Sequence, residues 1–362
     1  MTTAAAAKAP RKPELVCPAG SLRALTVAVD AGADAVYMGL RDATNARNFA
    51  GLNFDLAATR DGIAYAHARG RKVLMALNTF ADARDVAPWQ RAVDTAAGLG
   101  IDALILADMA VMAYAARAHP QLRLHLSVQA SATNHEAIEF YRARYGIQRA
   151  VLPRVLTASQ VAHLIRHSQV EIEVFGFGSL CVMVEGRCHL SSYATGQSPN
   201  NFGACSPASF VRWSERADGS VDARLNGIQI NRFGADEPRA YPTLCKGRFE
   251  VDGEVGYAIE EPTSLNTLSI LPELMAAGVA AIKIEGRQRS PAYVAEVTRV
   301  WRAAIDACHA RPARFAAQPA WTAALGISYA LVMLTGPLLG AYADVHAAKK
   351  RLLAVTTVGC VL

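Results

Sequence analysis

The sequence predicts an α/β fold: a (β/α)8 TIM-like barrel with a cysteine-rich insertion after its seventh strand. Three observations predict it. Short runs rich in Val, Ile and Leu alternate with helical patterns from residue 14 onward. Such alternation implies parallel strands joined by right-handed crossovers. The strand-like runs number eight, at 14–17, 35–39, 72–78, 103–107, 123–128, 149–152, 171–177 and 281–285, and eight parallel strands close a barrel. The chain, at 362 residues, exceeds a typical barrel of about 250, and much of the surplus falls in one segment, 181–262. An open, doubly wound sheet is the runner-up.

Each element has a local reason. The first helix spans 21–31, with Ser21 as its N-cap, because a serine hydroxyl satisfies an orphan N–H of the first turn. The second spans 55–68, with Asp55 as cap and Gly70 as stop. Further helices are predicted at 86–98, 109–118, 134–145, 157–167, 264–276 and 291–308. The runs between them are too short for helices and read as strands. The segment between strand seven and strand eight is rich in Gly, Pro, Ser and Asn, with strand-like runs at 210–213 and 228–231. Barrel active sites lie at the carboxyl ends of strands, so this insertion belongs to the catalytic face.

Composition excludes several classes. At 52% hydrophobic and 19% charged residues, the chain is too apolar for a disordered protein. Seven cysteines are too few for a disulfide-built secreted scaffold. The net charge of +6 is compatible with nucleic acid, anionic substrates or a membrane surface. Neither GxGxxG nor GxxxxGK[ST] occurs, so no loop argues for a nucleotide cofactor.

The ends differ from the middle. Residues 1–13 are small, basic and Pro-containing, a predicted disordered tail without the apolar core of a signal peptide; the default address is the cytoplasm. The stretch 316–343 has no charged residue over 28 positions. That length can span a bilayer, but Gln318, Pro319 and Pro337 interrupt it. A membrane span, a packed or interfacial helix with peripheral membrane contact, and an aberrant tail all stay open. The domain organisation is therefore a tail (1–13), a barrel with its insertion (14–313) and an atypical apolar C-terminal segment (314–362).

Four of the cysteines, Cys181, Cys188, Cys205 and Cys245, fall in the insertion at gaps of 7, 17 and 40 residues. No CxxC is present, so the zinc-ribbon pattern fails. Thiolates bind zinc or iron–sulfur clusters, and spacing alone leaves a cluster, a structural zinc and no metal all open.

The surrounding motifs are more specific. ELVCPAGSLRALTVAVDAGADAVYMGL opens the barrel, and RDATNARNFAGLNF follows its second strand. FGFGSLCVMVEGRCHLSSYATGQSPNNFGACSPASFVRW carries three cysteines, LCKGRF the fourth, and AIKIEGRQRSPAYV ends the barrel. Over about residues 13–322 the chain resembles the collagenase-like peptidase family, in particular its ubiquinone-biosynthesis branch, UbiU. The resemblance implies a [4Fe–4S] cluster on Cys181, Cys188, Cys205 and Cys245. It implies an oxygen-independent hydroxylase component for an aromatic quinone precursor, heterodimeric with a UbiV-like sister subunit. Prephenate is the implied oxygen donor, and peptidase activity is not expected. Other branches hydroxylate tRNA or rRNA bases, and that is the alternative function; a non-catalytic cluster-bearing scaffold is a further one. No dense basic stripe is visible, so nucleic acid is not favoured as a partner.

Other candidates come from position. Glu173 lies within the seventh strand, where a carboxylate can act as acid, base or anchor; a structural ion pair is the alternative. Lys283, Glu285 and Arg287 alternate along IKIEGR, and period two puts them on one face. Lys283 and Glu285 join Glu173 as catalytic candidates. Arg287 is a substrate-binding candidate, because a guanidinium fork grips a carboxylate. Asn45, Arg47 and Asn53 occupy the loop after strand two, with Asn45 and Arg47 also assigned to substrate. Gln129 and Arg154 hold the same topological position with weaker claims. Cys17 reads as a buried apolar thiol, Cys308 and Cys360 as incidental, and His189 as a loop histidine.

Overall fold

The structure is a computed structural model, and it describes residues 11–49, 51–181, 188–261 and 263–326. The first seven strands are β1 (Glu14–Pro18), β2 (Ala35–Met38), β3 (Lys72–Leu77), β4 (Ala103–Leu106), β5 (Leu124–Leu126), β6 (Arg149–Val151) and β7 (Glu171–Ser179). The insertion contributes β8 (Val211–Glu215), β9 (Val221–Leu225), β10 (Ile228–Phe233), β11 (Phe249–Val251), β12 (Glu254–Gly256) and β13 (Ser264–Asn266). The last barrel strand is β14 (Ala281–Ile284). Strands β1 to β6 pair in sequence order, and all are parallel. Closure runs through β6–β7 (Arg149 opposite Glu171), β7–β14 (Glu173 opposite Ala281) and β14–β1 (Ala281 opposite Glu14). The predicted eight-stranded barrel is therefore closed.

The helices are α1 (Leu22–Asp30), α2 (Leu56–His67), α3 (Ala87–Gly98), α4 (Met109–Ala118), α5 (His135–Tyr145), α6 (Ala158–His167), α7 (Leu190–Thr195), α8 (Pro199–Phe202), α9 (Leu271–Ala277) and α10 (Pro291–Ala310). The predicted caps are in place: Ser21 accepts from the Ala24 N–H and Asp55 from the Ala58 N–H. Thr157 and Gln160 form a reciprocal capping box on α6. Each such cap contributes about 1 kcal/mol. Inside the barrel Val16, Tyr37, Leu74, Ala76, Ile105 and Ala281 pack as one apolar cluster. Outside it α10 buries Trp301 and Ile305.

The helix predicted at 264–276 is shorter than expected. Strand β7 runs nine residues and leaves its upper edge open. β13 takes that edge antiparallel, Ser264 opposite Ser179 and Asn266 opposite Phe177. Thr267 then donates to the Gly176 carbonyl from both its N–H and its hydroxyl, so the helix starts only at Leu271. An unpaired edge strand is the competing demand that wins.

The insertion is also more organised than a loop. Residues up to 207 and 263–317 form one compact unit, and 208–261 with 318–326 form a second. The second unit holds the antiparallel sheet β10–β9–β8 and the hairpin β11–β12. Among the described residues no helix is long and apolar enough to cross a membrane. From residue 327 on, the uncharged stretch 316–343 lies outside the described residues, as do the tail 1–10 and Cys360.

Candidate active site at the barrel mouth

A pocket opens at the carboxyl ends of the barrel strands, lined by Tyr37 from β2, Arg47 from the loop after it, and Asn78 after β3. Ser127 and Gln129 after β5, Arg154 after β6 and Phe175 of β7 continue the wall, and Lys283, Glu285 and Arg287 complete it. The alternation predicted for IKIEGR thus brings all three polar residues to one pocket.

The pocket is cationic. Arg287 is buried, its Nη2 donates to Asn45 Oδ1 at 2.9 Å, and its Nη1 has no hydrogen-bond partner among the described residues. Burial pushes the Arg287 guanidinium down to about 10. Arg154 stacks over the Phe175 ring at 3.8 Å, and Lys283 sits 4.0 Å from the centroid of the Tyr37 ring. Against these cations stands Glu285, 4.0 Å from Arg47 Nε and accepting from the Ser179 N–H. Burial pushes its carboxyl up, but Arg47, Arg154, the Ser179 N–H and Arg289 together hold it below its usual value. A pocket lined by three arginines, with Glu285 the one carboxylate in its described lining, suits a carboxylate-bearing small molecule.

Local sequence explains the placement. Asn45 is fully buried and acts as a bracket: its amide nitrogen donates to the Leu40 carbonyl, and its oxygen accepts from both Arg287 and the Arg47 N–H. It does not line the pocket. Gly39 leaves the room for this, since a Cβ there would lie 2.6 Å from Arg287 Nη1. Asn53 donates to the Arg47 carbonyl and so also fixes the loop. Asn78 ties that loop to the pocket wall, accepting from the Ala46 N–H and donating to Ser127.

Glu173 lies deeper than expected. It is fully buried, accepts from Lys283 Nζ at 2.7 Å and pairs with Arg149 at 3.4 Å, and it does not line the pocket. Its role in this geometry is to hold the Lys283 ammonium, which burial pushes down against the pull of Glu173.

The cysteines fall in both units. Cys181 follows β7, Cys188 precedes α7, and Cys205 follows α8, all half-buried in the barrel unit, while Cys245 sits in a 3-10 turn of the second unit. Residues 182–187, between the first two, lie outside the described residues. Asn200 accepts from the Cys188 N–H and donates to Gln129 of the pocket wall, which ties the cysteine segment to the barrel mouth. Sequence reasoning missed Asn200, Tyr37 and Asn78. Among the described residues the cysteines form no disulfide, and no three His, Cys, Asp or Glu side chains gather to hold a metal ion. The donor set fits a thiolate-bound cluster in kind and number. Cys17 behaves differently: it accepts from the Thr298 hydroxyl, and burial pushes its thiol up to about 12, as befits a structural thiol.

The family model described as Peptidase family U32 matches residues 20–336. The chain belongs to that family. Among U32-type relatives it is 31% identical to the tRNA hydroxylation protein P of Escherichia coli, over 82% of this chain and 68% of that protein. It is 32% identical to a collagenase of Porphyromonas gingivalis, over 81% of this chain and 66% of that protein. It is 28% identical to a 23S rRNA 5-hydroxycytidine synthase of Escherichia coli, over 81% of this chain and 39% of that enzyme. The chain spans about two thirds of the length of the tRNA hydroxylation relatives it matches. These relatives overturn the expectation that disfavoured nucleic acid: several proteins similar to this chain are named for hydroxylating RNA.

Proposed function

We propose that this chain is a U32-type hydroxylase acting on an RNA base, tRNA first among the substrates. The observation that carries this reading is the similarity to tRNA hydroxylation proteins across more than four fifths of the chain. The geometry supports it by offering a buried cationic pocket where a barrel enzyme does its chemistry. In this reading Arg287, Arg47 and Arg154 bind the carboxylates of a small oxygen donor, prephenate, and the reaction needs no O2. Glu285 orients Arg47, and Lys283 presents a cation beside the Tyr37 ring. Glu173 is a positioning residue acting through Lys283.

Cys181, Cys188, Cys205 and Cys245 would hold a [4Fe–4S] cluster, which supplies electron transfer when bound. A second reading, hydroxylation of a quinone precursor, has the motif resemblance behind it.

The deciding experiment compares a deletion strain with its parent by nucleoside mass spectrometry of total RNA and by quinone analysis. The expected result is loss of one hydroxylated nucleoside with normal quinones. Intact RNA hydroxylation with loss of anaerobic quinone would overturn the RNA reading. Iron and sulfide analysis of protein purified without air, beside Cys205→Ala, tests the cluster. A folded wild type without iron would sink it.

A further inference from the structure

The second unit carries a charge arrangement that the barrel pocket does not use. Alternation along the sheet puts Arg212 and Ser214 of β8, Asp222 and Arg224 of β9, and Gln229 and Arg232 of β10 on one face. The register sets Arg212 directly opposite Arg224, and Asp222 opposite both Ser214 and Arg232. Like charges directly opposite on antiparallel strands repel, so the Arg212–Arg224 pair is a cost the isolated sheet carries.

Asp222 organises this face. Its buried carboxylate takes Arg232 at 2.7 Å, Arg224 at 3.4 Å and Arg216 at 3.6 Å. The three guanidinium side chains stay 40% to 47% exposed while the acid is 4% exposed. Arg212 anchors itself on the Ser209 and Val211 carbonyls. The turn acid Asp218, held by Ser220, is the other carboxylate near Arg216. Among the described residues four arginines therefore face two aspartates, and outside the bulge at Ile230, which is buried, no strand residue on this face is apolar. The apolar residues Trp213, Val221, Ala223 and Phe233 take the opposite face.

One buried acid thus holds several guanidiniums side by side with donors still turned outward. Pre-organised arginine forks grip phosphate bidentately and lose little entropy in doing so. Phosphate contacts of this kind set register and orientation on a nucleic acid without reading its sequence. We propose that this arginine face of β8–β9–β10 docks the sugar–phosphate backbone of folded RNA. The inference rests on the RNA reading above and adds which surface grips the substrate. A membrane surface fits less well, because the face offers no apolar side chain for insertion.

The test titrates the full chain with a folded tRNA transcript between about 50 and 200 mM salt. Arg212→Gln/Arg224→Gln is expected to bind about tenfold more weakly, with a salt slope shallower by about two. Arg60→Gln/Arg91→Gln, an equal charge loss on barrel helices, is expected to bind within about twofold of wild type. Hydrogen exchange on the wild type removes any doubt about folding: tRNA should slow amides within 211–233. Three results would overturn the proposal while leaving the RNA reading intact: wild-type affinity and slope in the first variant, equal weakening in both variants, or no protection within 211–233. Failure of the RNA reading shows separately, as unchanged nucleosides in the deletion strain.

Discussion

The two ends of the barrel interior are both rich in buried charge, and they treat it in opposite ways. Near the amino ends of the strands Arg149 is shared by Glu14, Glu171 and Glu173, at 2.8, 2.7 and 3.4 Å. Lys72 and Lys283 take the other oxygens of Glu14 and Glu173, while Arg123 shares Glu171 Oε2 with Arg149. Acids and bases there answer one another. At the mouth Arg47, Arg154 and Arg287 line a pocket whose described lining holds one carboxylate, Glu285, and the Arg287 Nη1 has no hydrogen-bond partner among the described residues. A buried donor without a partner is costly. It persists where something outside the chain completes it. The closed network is thus a structural device, and the open one is where the proposed substrate site lies.

The comparison breaks most visibly on removing its central cations. Arg149→Met leaves three carboxylates sharing fewer partners. We expect a loss of about 3–5 kcal/mol in unfolding free energy, read by denaturant titration, with affinity for dicarboxylates unchanged in the folded fraction. Arg287→Met should do the reverse. Removing a desolvated, half-satisfied guanidinium leaves stability within about 1 kcal/mol. Affinity for prephenate, measured by calorimetry, should fall about tenfold to a hundredfold, the worth of a charge-assisted hydrogen bond. A large stability loss in Arg287→Met with unchanged binding would erase the distinction between the two ends.

Much of this was legible beforehand, and the exceptions have physical causes. All eight barrel strands were readable, because β-branched and aliphatic runs between capped helices have few other solutions. The IKIEGR alternation correctly placed Lys283, Glu285 and Arg287 on one face. Alternation gives a face but not a depth. Glu173 shares the barrel interior yet sits below the pocket, and depth follows from strand stagger around the closed barrel. Strand β9 was missed although its signal was present. Asn226 and Gly227, at φ 47° and 83°, form the Asn-Gly turn that joins β9 to β10. Asp252 and Gly253 do the same between β11 and β12. The arginine face went unseen because its members lie on three strands and meet only in register. Asn200 had no signal, since its contacts with Cys188 and Gln129 are purely tertiary.

Acidity sharpens the same comparison. Arg287, lowered to about 10 by burial, begins to lose its proton well below an ordinary arginine. Anion affinity should break downward as the pH nears about 10, where Lys283, also lowered by burial, loses its proton too; Arg287→Met should shrink that break rather than abolish it. Glu285 works in the other direction. Its folded-state value lies below the ordinary carboxylate range, so its ionised form stabilises the fold above that range. That stability is lost as the pH falls through the lowered value. Acid titration of Glu285→Gln beside wild type should therefore show a smaller loss of stability in the variant.

The smallest effect is the most specific. Gly39→Ala changes no charge and removes no hydrogen-bonding group. Its Cβ would lie 2.6 Å from Arg287 Nη1 and 2.7 Å from Asn45 Cγ, closer than atoms can sit. Either the Arg287 side chain swings away or the Asn45 bracket gives, and both outcomes move the guanidinium relative to Arg47 and Arg154. We expect a few-fold loss in dicarboxylate affinity, about 1 kcal/mol, as for one misaligned charged hydrogen bond. The high-pH break should persist, because the titrating group is still present. If Gly39→Ala binds as tightly as wild type, the pocket works by net charge alone and the Asn45–Arg287 geometry is incidental. If it binds weakly but keeps the break, placement of the guanidinium is what the open end of the barrel contributes.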